Sequence, residues 1–143
     1  MLYGKKMWLR PTPYTLGAYE GVVWAMSPLR VLKSRLIHVL RSCGRLKGVS
    51  ESLQLTQPPA ARVSFHVDAL WIDYTQGNLP QARIQGTWSI RPETQGAFPP
   101  HEQVFDFKTP VKVQTQQGIF EAMEKVVDQW TRESAAWVLA LCP

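Results

Sequence analysis

The sequence predicts an α+β domain, in which a mixed, mostly antiparallel sheet is covered by two amphipathic helices. Two neighbouring runs of alternating residues predict a hairpin, and two longer segments repeat apolar residues at helical spacing. Strands and helices that occur in separate blocks are typical of the α+β class. Because 143 residues suit one compact domain, we expect residues 1–143 to form a single unit.

The hairpin carries the strongest strand signal. The segment ARVSFHVDALWIDY, residues 61–74, alternates and places five apolar residues on one face: Val63, Phe65, Val67, Ala69 and Trp71. Turn residues follow from Thr75 to Asn78, and ARIQGTWSI, residues 82–90, alternates again. These two runs predict an antiparallel pair of strands.

Two further features complete the predicted sheet. Gly86 indicates a bulge or the close approach of a packed aromatic ring, and we favour the packing interpretation. A polar loop over residues 91–100 then leads to a third strand around Val104–Phe107. At the start of the chain, strand-like residues end at Pro11 and Pro13.

The first helix has a defined start and end. Ser27 can cap it, Pro28 suits its first turn, and Gly44 follows its last turn. Its apolar stripe consists of Leu29, Leu32, Leu36, Leu40 and Cys43, widened by Ile37 and Val39. The residues before it, 19–24, read as a loop ending in Trp24, and a short strand is expected after it near Val49.

The second helix is expected to begin after a Thr115 cap. Its inner stripe consists of Ile119, Met123, Val126, Val127, Trp130, Trp137, Val138 and Leu141. With the first helix, it would cover one face of the sheet.

Positive charge is concentrated in the first third of the chain. Of sixteen Lys and Arg residues, nine lie in residues 1–50 beside a single acid, Glu20, although the net charge is only +5. Such an asymmetry is compatible with an anionic partner. The basic residues of the first helix lie opposite its apolar stripe, and no aromatic residues alternate with them. We therefore expect these residues to form the solvated face of the helix and not a nucleic-acid-binding surface.

The two cysteines do not indicate a metal site. Cys43 and Cys142 lack CxxC spacing and a nearby histidine cluster, so we expect buried free thiols, and whether they pair stays open. No run of about 18 apolar residues predicts a membrane-spanning helix. The first residues also lack the apolar core of a signal peptide.

Signatures of catalysis are sparse. The sequence has no GxGxxG, P-loop, GxSxG or HExxH motif, and we expect no cofactor and no catalytic residue. The best catalytic candidates are His66 and Asp68, which could point the same way from the polar side of a strand. We interpret them as solvated surface residues.

The six tryptophans divide into two groups. Trp71, Trp88, Trp130 and Trp137 fall on predicted inner faces and are expected in the core. Trp8 and Trp24 fall outside the periodic runs and are the better candidates for contact with a partner, although packing within the domain is at least as good an interpretation of both.

The order of particular residues resembles the ABC-type transport auxiliary lipoprotein component family. In residues 14–49, YTLGAYEGVVWAMSPLRVLKSRLIHVLRSCGRLKGV, the matching positions are Tyr19, Trp24, Pro28, Leu32, Leu36, Leu40, Gly44 and Val49. The family pattern there is a tyrosine-bearing strand, a tryptophan, a proline and a helix. The hairpin that closes on Trp88 is similar too, as is the terminal helix with Ala135, Ala136 and Leu139.

This resemblance, to proteins of the paraquat-inducible protein C type, implies a periplasmic lipoprotein at the outer membrane. It implies a non-enzymatic, oligomeric accessory that docks to MCE-domain or ABC transporter components in the trafficking of lipids or other apolar solutes. We expect Trp8, Tyr19 and Trp24 to contact a partner. The family's export signal, lipobox cysteine and first strand are not found in this sequence. We therefore expect an N-terminally incomplete chain, anchored to a membrane by lipid only if upstream sequence supplies the cysteine.

Two other classes of function remain open. A basic-surface binding module for nucleic acid or anionic lipid would explain the charge of residues 1–50, although nucleic acid is not favoured. A hydrolase using His66 and Asp68 would need a nucleophile that the sequence does not reveal.

Overall fold

Five strands and two helices make up the described part of the chain. The computed structural model describes residues 6–12, 15–24, 27–44, 46, 48–49, 61–75, 77–93, 96 and 98–141. The elements in chain order are β1 (Lys6–Thr12), β2 (Thr15–Val23), α1 (Pro28–Ser42), β3 (Ala61–Asp73), β4 (Gln81–Pro92), β5 (His101–Pro110) and α2 (Gln116–Leu141).

The strands form one mixed sheet in the order β2-β1-β3-β4-β5. β1 and β3 run parallel, and every other neighbouring pair is antiparallel. The predicted fold class, α+β with a mostly antiparallel sheet and two helices, is therefore confirmed. The first two strands form a hairpin, so β2 is a strand where the residue pattern of 19–23 predicted a loop. Backbone pairing with β1 compensates there for the lack of alternation.

Both helices pack on the same face of the sheet, which we call the inner face. One core cluster joins inward residues of the strands to Leu32, Leu36 and Leu40 of α1 and to the apolar stripe of α2. Those three leucines are buried as predicted, whereas Arg30 and Arg41 on the far side of α1 are exposed. Removing this apolar surface from water is the main favourable term for such a layered domain.

The ends of α1 follow its sequence signals, except that Ser27 occupies the N-cap position without a side-chain cap hydrogen bond. Pro28 occupies the first turn, and Gly44, just beyond the C-cap Cys43, adopts φ +70°. That left-handed conformation suits glycine at the end of a helix. The prediction that Cys43 is buried is wrong: its thiol is free and exposed, because α1 ends at Ser42 and the apolar stripe stops with it. Cys142 and Arg45 lie outside the described residues.

The segment after α1 does not follow the prediction in its described part. Leu46, Gly48 and Val49 belong to no strand, although Val49 accepts a hydrogen bond of 2.9 Å from Nε of Arg41. In the second half of the chain, β5 is longer than predicted. Ten residues of β5 pair continuously with β4, and this ladder extends the strand in both directions.

The start of α2 is fixed by Thr115, as predicted. Its hydroxyl oxygen accepts a hydrogen bond of 3.1 Å from the backbone N–H of Gly118. Gly118 itself has no room for a side chain, because an added Cβ would lie 1.8 Å from the carbonyl oxygen of Val113. The helix therefore begins in close contact with the loop that precedes it.

Candidate functional site

A bulge in β3 decides which residues reach the opposite, outer face of the sheet. The pairing of β3 with β4 shifts between Val67 and Ala69, so Asp68 is an extra residue with no partner position in the ladder. Val67 pairs with Gly86, but beyond the bulge it is Leu70 that pairs with the buried Ile84. Leu70 therefore turns inward, and its neighbours Ala69 and Trp71 turn outward.

The predicted inward placement of Ala69 and Trp71 is therefore wrong. Ala69 is buried but is absent from the core cluster, and Trp71 is half-buried outside it. The run Ala69–Ile72 is apolar at every position, so alternation alone could not show that the register changes there. An apolar residue at both Leu70 and Ile72 was the one signal for the alternative register.

Trp8 lies beside Trp71 on the outer face. The two residues are partners in the parallel pairing of β1 and β3. Trp8 stands between Met7, which is in the core, and Leu9, which packs against it, so its own side chain points outward. It is half-buried, and its indole N–H is buried without a hydrogen-bond partner among the described residues. We call Trp8 and Trp71 the outer tryptophan pair.

An ion network borders this pair on the outer face. Arg83 of β4 pairs with Trp71 across the ladder and donates two hydrogen bonds to Asp106 of β5, of 3.0 and 2.8 Å. Its other terminal nitrogen lies 3.5 Å from Oδ2 of Asp73. The hydrogen bonds to Asp106 raise the pKa of Arg83 against the opposing effect of burial. The guanidinium therefore remains charged, and the three side chains hold one geometry across three strands.

Asp73 also organises the turn between β3 and β4. It is buried, and its Oδ1 accepts hydrogen bonds from the backbone N–H of Thr75, at 2.9 Å, and from the Thr75 hydroxyl, at 2.5 Å. This arrangement is an Asx-type turn. Gly77 adopts φ +73° in the same turn. The turn predicted at Thr75–Asn78 therefore ties the hairpin to the ion network.

The inner tryptophans have a structural role. Trp130 is fully buried and meets Phe65 edge to face, with ring centroids 4.8 Å apart. Trp88 donates a hydrogen bond of 2.9 Å to the Ser134 hydroxyl and stacks on Trp137 at 5.4 Å. Trp137 is half-buried and donates to Gln103. The prediction of core positions holds for Trp88 and Trp130, and Trp137 completes the same cluster.

Gly86 permits this packing. A Cβ at Gly86 would lie 1.9 Å from the carbonyl oxygen of His66 and 2.8 Å from Cζ of Phe105. Gly86 therefore has both of the features that its position predicts: a bulge lies beside it, in β3, and an aromatic ring of β5 packs closely over it.

The three residues predicted at a partner interface lie in different surroundings. Trp8 belongs to the outer tryptophan pair, whereas Trp24 is half-buried and packs against the core. The backbone of Tyr19 lies in β2, but its side chain is outside the described part of the structure. Their contact with a partner stays a prediction.

His66 and Asp68 come together at the bulge. Nε2 of His66 lies 3.1 Å from Oδ1 of Asp68, and their side chains are 80% and 57% exposed. A histidine and carboxylate act as a general base only with a bound substrate within hydrogen-bond reach. A depression of about 420 Å³ is lined by residues of β4 and of the start of β5, among them Arg91, His101 and Glu102, and neither His66 nor Asp68 lines it.

The described residues contain neither a group suited to a metal ion nor a helix suited to crossing a membrane. They contain no group of three or more His, Cys, Asp and Glu side chains that could hold a metal ion. Neither α1 nor α2 combines the length and the apolarity that crossing a bilayer requires.

Solved structures of other proteins share this fold. The crystal structure of protein XCC0632 from Xanthomonas campestris is similar, with a TM-score of 0.86 at 20% identity, over 97% of this chain and 77% of that one. The crystal structure of an uncharacterized protein aligns with a TM-score of 0.74 at 17% identity, over 99% of this chain and 84% of the other. At these identities the likeness concerns the fold. No curated protein matches significantly.

The match to a family covers almost the whole chain. Residues 1–135 fit the family described as the ABC-type transport auxiliary lipoprotein component. This match confirms the resemblance drawn from the tyrosine strand, the tryptophan and the helix that follows them. It supports an accessory role in transport and an envelope lipoprotein as the class of molecule. The chain belongs to the ABC-type transport auxiliary lipoprotein component family.

Proposed function

We propose that this chain is a non-enzymatic docking component of an ABC/MCE-type envelope transport system. It would hold a partner protein in place while lipids or other apolar solutes move through that partner, and no bond would be made or broken. We place it in the periplasm at the outer membrane. Membership of the family supports the accessory role. The docking role rests on one observation, the outer tryptophan pair on a face that no described helix covers.

The composition of the outer face suits protein recognition. Tryptophan and arginine are enriched among the residues that contribute most to binding, and apolar centres are usually bordered by polar groups. Trp8 and Trp71 supply the apolar centre, and Arg83 with its two aspartates supplies the border. Val104 of β5 adds a further apolar side chain that is 68% exposed.

The rigidity of this surface favours docking further. Trp8 and Trp71 are carried by paired strands, and Arg83 is held by two carboxylates. Side chains that are already fixed lose little conformational entropy on binding. A sheet face with two tryptophans and a charged border suits a folded partner, whereas a site that carries a solute is usually a concave apolar pocket. We therefore assign the surface to an MCE-domain or ABC transporter component.

Binding of purified MCE-domain protein of the same transport system tests this proposal. Trp8→Ala is expected to raise the dissociation constant at least about tenfold, because it removes a central aromatic contact. Phe120→Ala is the matched control, since Phe120 is an exposed aromatic residue on α2. Isothermal titration calorimetry would measure both. Equal affinities for the wild type and Trp8→Ala, with a complex still formed, would remove the outer tryptophan pair from the interface.

Self-association is a second part of the proposal. We expect copies of the chain to associate beside the outer tryptophan pair, near Tyr19 and Trp24, which leaves the pair itself to the transport partner. An unpaired strand edge invites pairing with another chain, and within the described sheet β2 and β5 are the edge strands. Light scattering at tens of micromolar, on the wild type and on Trp8→Ala and Trp24→Ala, measures this. A monomeric wild type would contradict the oligomer. Unchanged association in both variants would show that its interface lies away from Trp8 and Trp24.

A further inference from the structure

The exposed face of α1 is basic and contains no acid. Arg30, Lys33, His38 and Arg41 are all exposed, and Ser34 lies among them. No Asp or Glu occurs between Gly21 and Ser50. The first turn of α1 also lacks an acidic residue. We call Arg30, Lys33 and Arg41 the basic face.

Within the described residues, few carboxylates lie near the cations of this face. Arg35, at the margin of the face, lies 4.0 Å from Glu124 of α2, with side chains 41% and 73% exposed. Nε of Arg41 donates a hydrogen bond to the carbonyl oxygen of Val49. This contact satisfies the N–H group but does not neutralise the charge of the guanidinium. Arg30 and Lys33 have no ion pair within the described residues. An anion would therefore meet a positive potential there.

The shape of the face fits a surface more than a pocket. At 1.5 Å per residue, the eleven steps from Arg30 to Arg41 span roughly 16 Å along one side of the helix. The leucine stripe of α1 is already buried in the core, so the helix cannot insert an apolar face into a bilayer. It can only present its cations to an extended anionic plane. Ile37, half-buried between the cations, is the apolar residue nearest that plane.

We propose that the basic face of α1 rests on an anionic phospholipid surface. The family is one of lipoproteins, so a copy anchored by its lipid would keep α1 within reach of a membrane surface, where exposed cations add to binding. Phospholipid headgroups form such an extended anionic plane. Nucleic acid suits the face less, because the described exposed positions of α1 include His38 but no Phe, Tyr or Trp for stacking on bases. This contact is independent of docking through the outer tryptophan pair, which lies on the opposite side of the sheet.

Co-sedimentation with vesicles tests the inference on the full chain. Vesicles of phosphatidylethanolamine with phosphatidylglycerol are expected to bind the protein at low salt, whereas phosphatidylcholine vesicles are not. Each cation near an anionic bilayer changes partitioning roughly fivefold, so Arg30→Glu, Lys33→Glu and Arg41→Glu together should reduce binding at least about a hundredfold. Raising the salt should weaken wild-type binding, since the attraction is screened.

A triple variant on the other elements controls for net charge. Lys112→Glu, Lys125→Glu and Arg132→Glu change three exposed residues outside α1 and alter the net charge by the same amount. This variant should keep most of the binding to phosphatidylglycerol vesicles. Circular dichroism confirms that both variants fold, which is expected because every changed residue is exposed.

Two outcomes would overturn the inference. Equal loss of binding in the two triple variants would show that overall charge acts, without any role for the basic face. Tighter binding of the wild type to an oligonucleotide than to the anionic vesicles, at equal ionic strength, would assign the face to nucleic acid. Trp8→Ala should leave vesicle binding unchanged, so failure of this inference and failure of the docking proposal give different results.

Discussion

The two faces of the sheet use tryptophan in different ways. On the inner face, Trp88 and Trp130 lie among Phe65, Phe105 and the apolar stripe of α2, where they are buried. On the outer face, Trp8 and Trp71 are half-buried and stand outside the core cluster. The rings of Trp88 and Trp130 are almost wholly removed from solvent, whereas the outer ones retain accessible surface. Residue type alone therefore does not assign a role, because one shift of register exchanges the two faces.

Truncation in the inner cluster should have the largest effect on stability. Trp130→Ala removes a fully buried indole that contacts Phe65 and Phe105, so we expect a loss of about 3–5 kcal/mol in the free energy of unfolding. Urea denaturation followed by circular dichroism measures it. A loss below about 1 kcal/mol would mean that the inner face is not the core, and would contradict the difference drawn between the inner and outer tryptophans.

The helix that covers the inner face should show the same asymmetry between its two sides. Leu36→Ala is expected to cost about 2–5 kcal/mol, because Leu36 is buried in the core cluster. Arg41→Ala, on the exposed side, should change stability by no more than about 0.5 kcal/mol. The same denaturation experiment gives both values, and equal costs would show that the faces of α1 are assigned wrongly.

The ion network should make part of the outer face structurally important. Arg83→Leu leaves the buried Asp73 without its guanidinium, so we expect a cost of about 3 kcal/mol. Because folding raises the pKa of Arg83, its contribution is present at every pH below the ordinary pKa of arginine and is lost only in strong alkali. Stability measured at neutral and at mildly alkaline pH should show the same penalty, and a penalty confined to one of them would contradict the network.

The outer tryptophan pair should have the smallest effect on stability. Trp8→Ala removes a half-buried ring, so we expect a cost of about 1 kcal/mol in the free energy of unfolding. The variant should therefore fold normally and show its effect in partner binding. A cost as large as that of Trp130→Ala would mean that Trp8 is a core residue.

Much of the fold could be predicted because its signals are local. The start of α2 at Thr115, the limits of α1 at Pro28 and Gly44, and the hairpin turn at Gly77 all depend on residues next to one another. β2 could not be predicted in this way. Its sequence, TLGAYEGVV, does not alternate, and the strand is defined by pairing with β1, whose register is itself irregular.

Only part of the candidate site could be predicted. The sequence points to Trp8, which stands outside the periodic runs, but its alternation pattern places Trp71 in the core. The bulge at Asp68 is a property of two strands together: β3 gains a residue that β4 lacks, and Gly86 leaves space opposite it. The sequence of β3 alone continues to look alternating through Trp71, since Ala69–Ile72 is apolar on both faces. The expectation of an upstream export signal and lipobox cysteine stays a prediction.

Oxidative footprinting of the tryptophan side chains tests directly whether the outer tryptophan pair contacts the transport partner. The chain would be labelled with hydroxyl radicals, free and bound to the MCE-domain protein of its transport system, and modification of each tryptophan measured by mass spectrometry. We predict that Trp8 and Trp71 lose reactivity in the complex, while the buried Trp88 and Trp130 react weakly in both states. Formation of a complex in which Trp8 and Trp71 keep their full reactivity would contradict docking through the outer tryptophan pair.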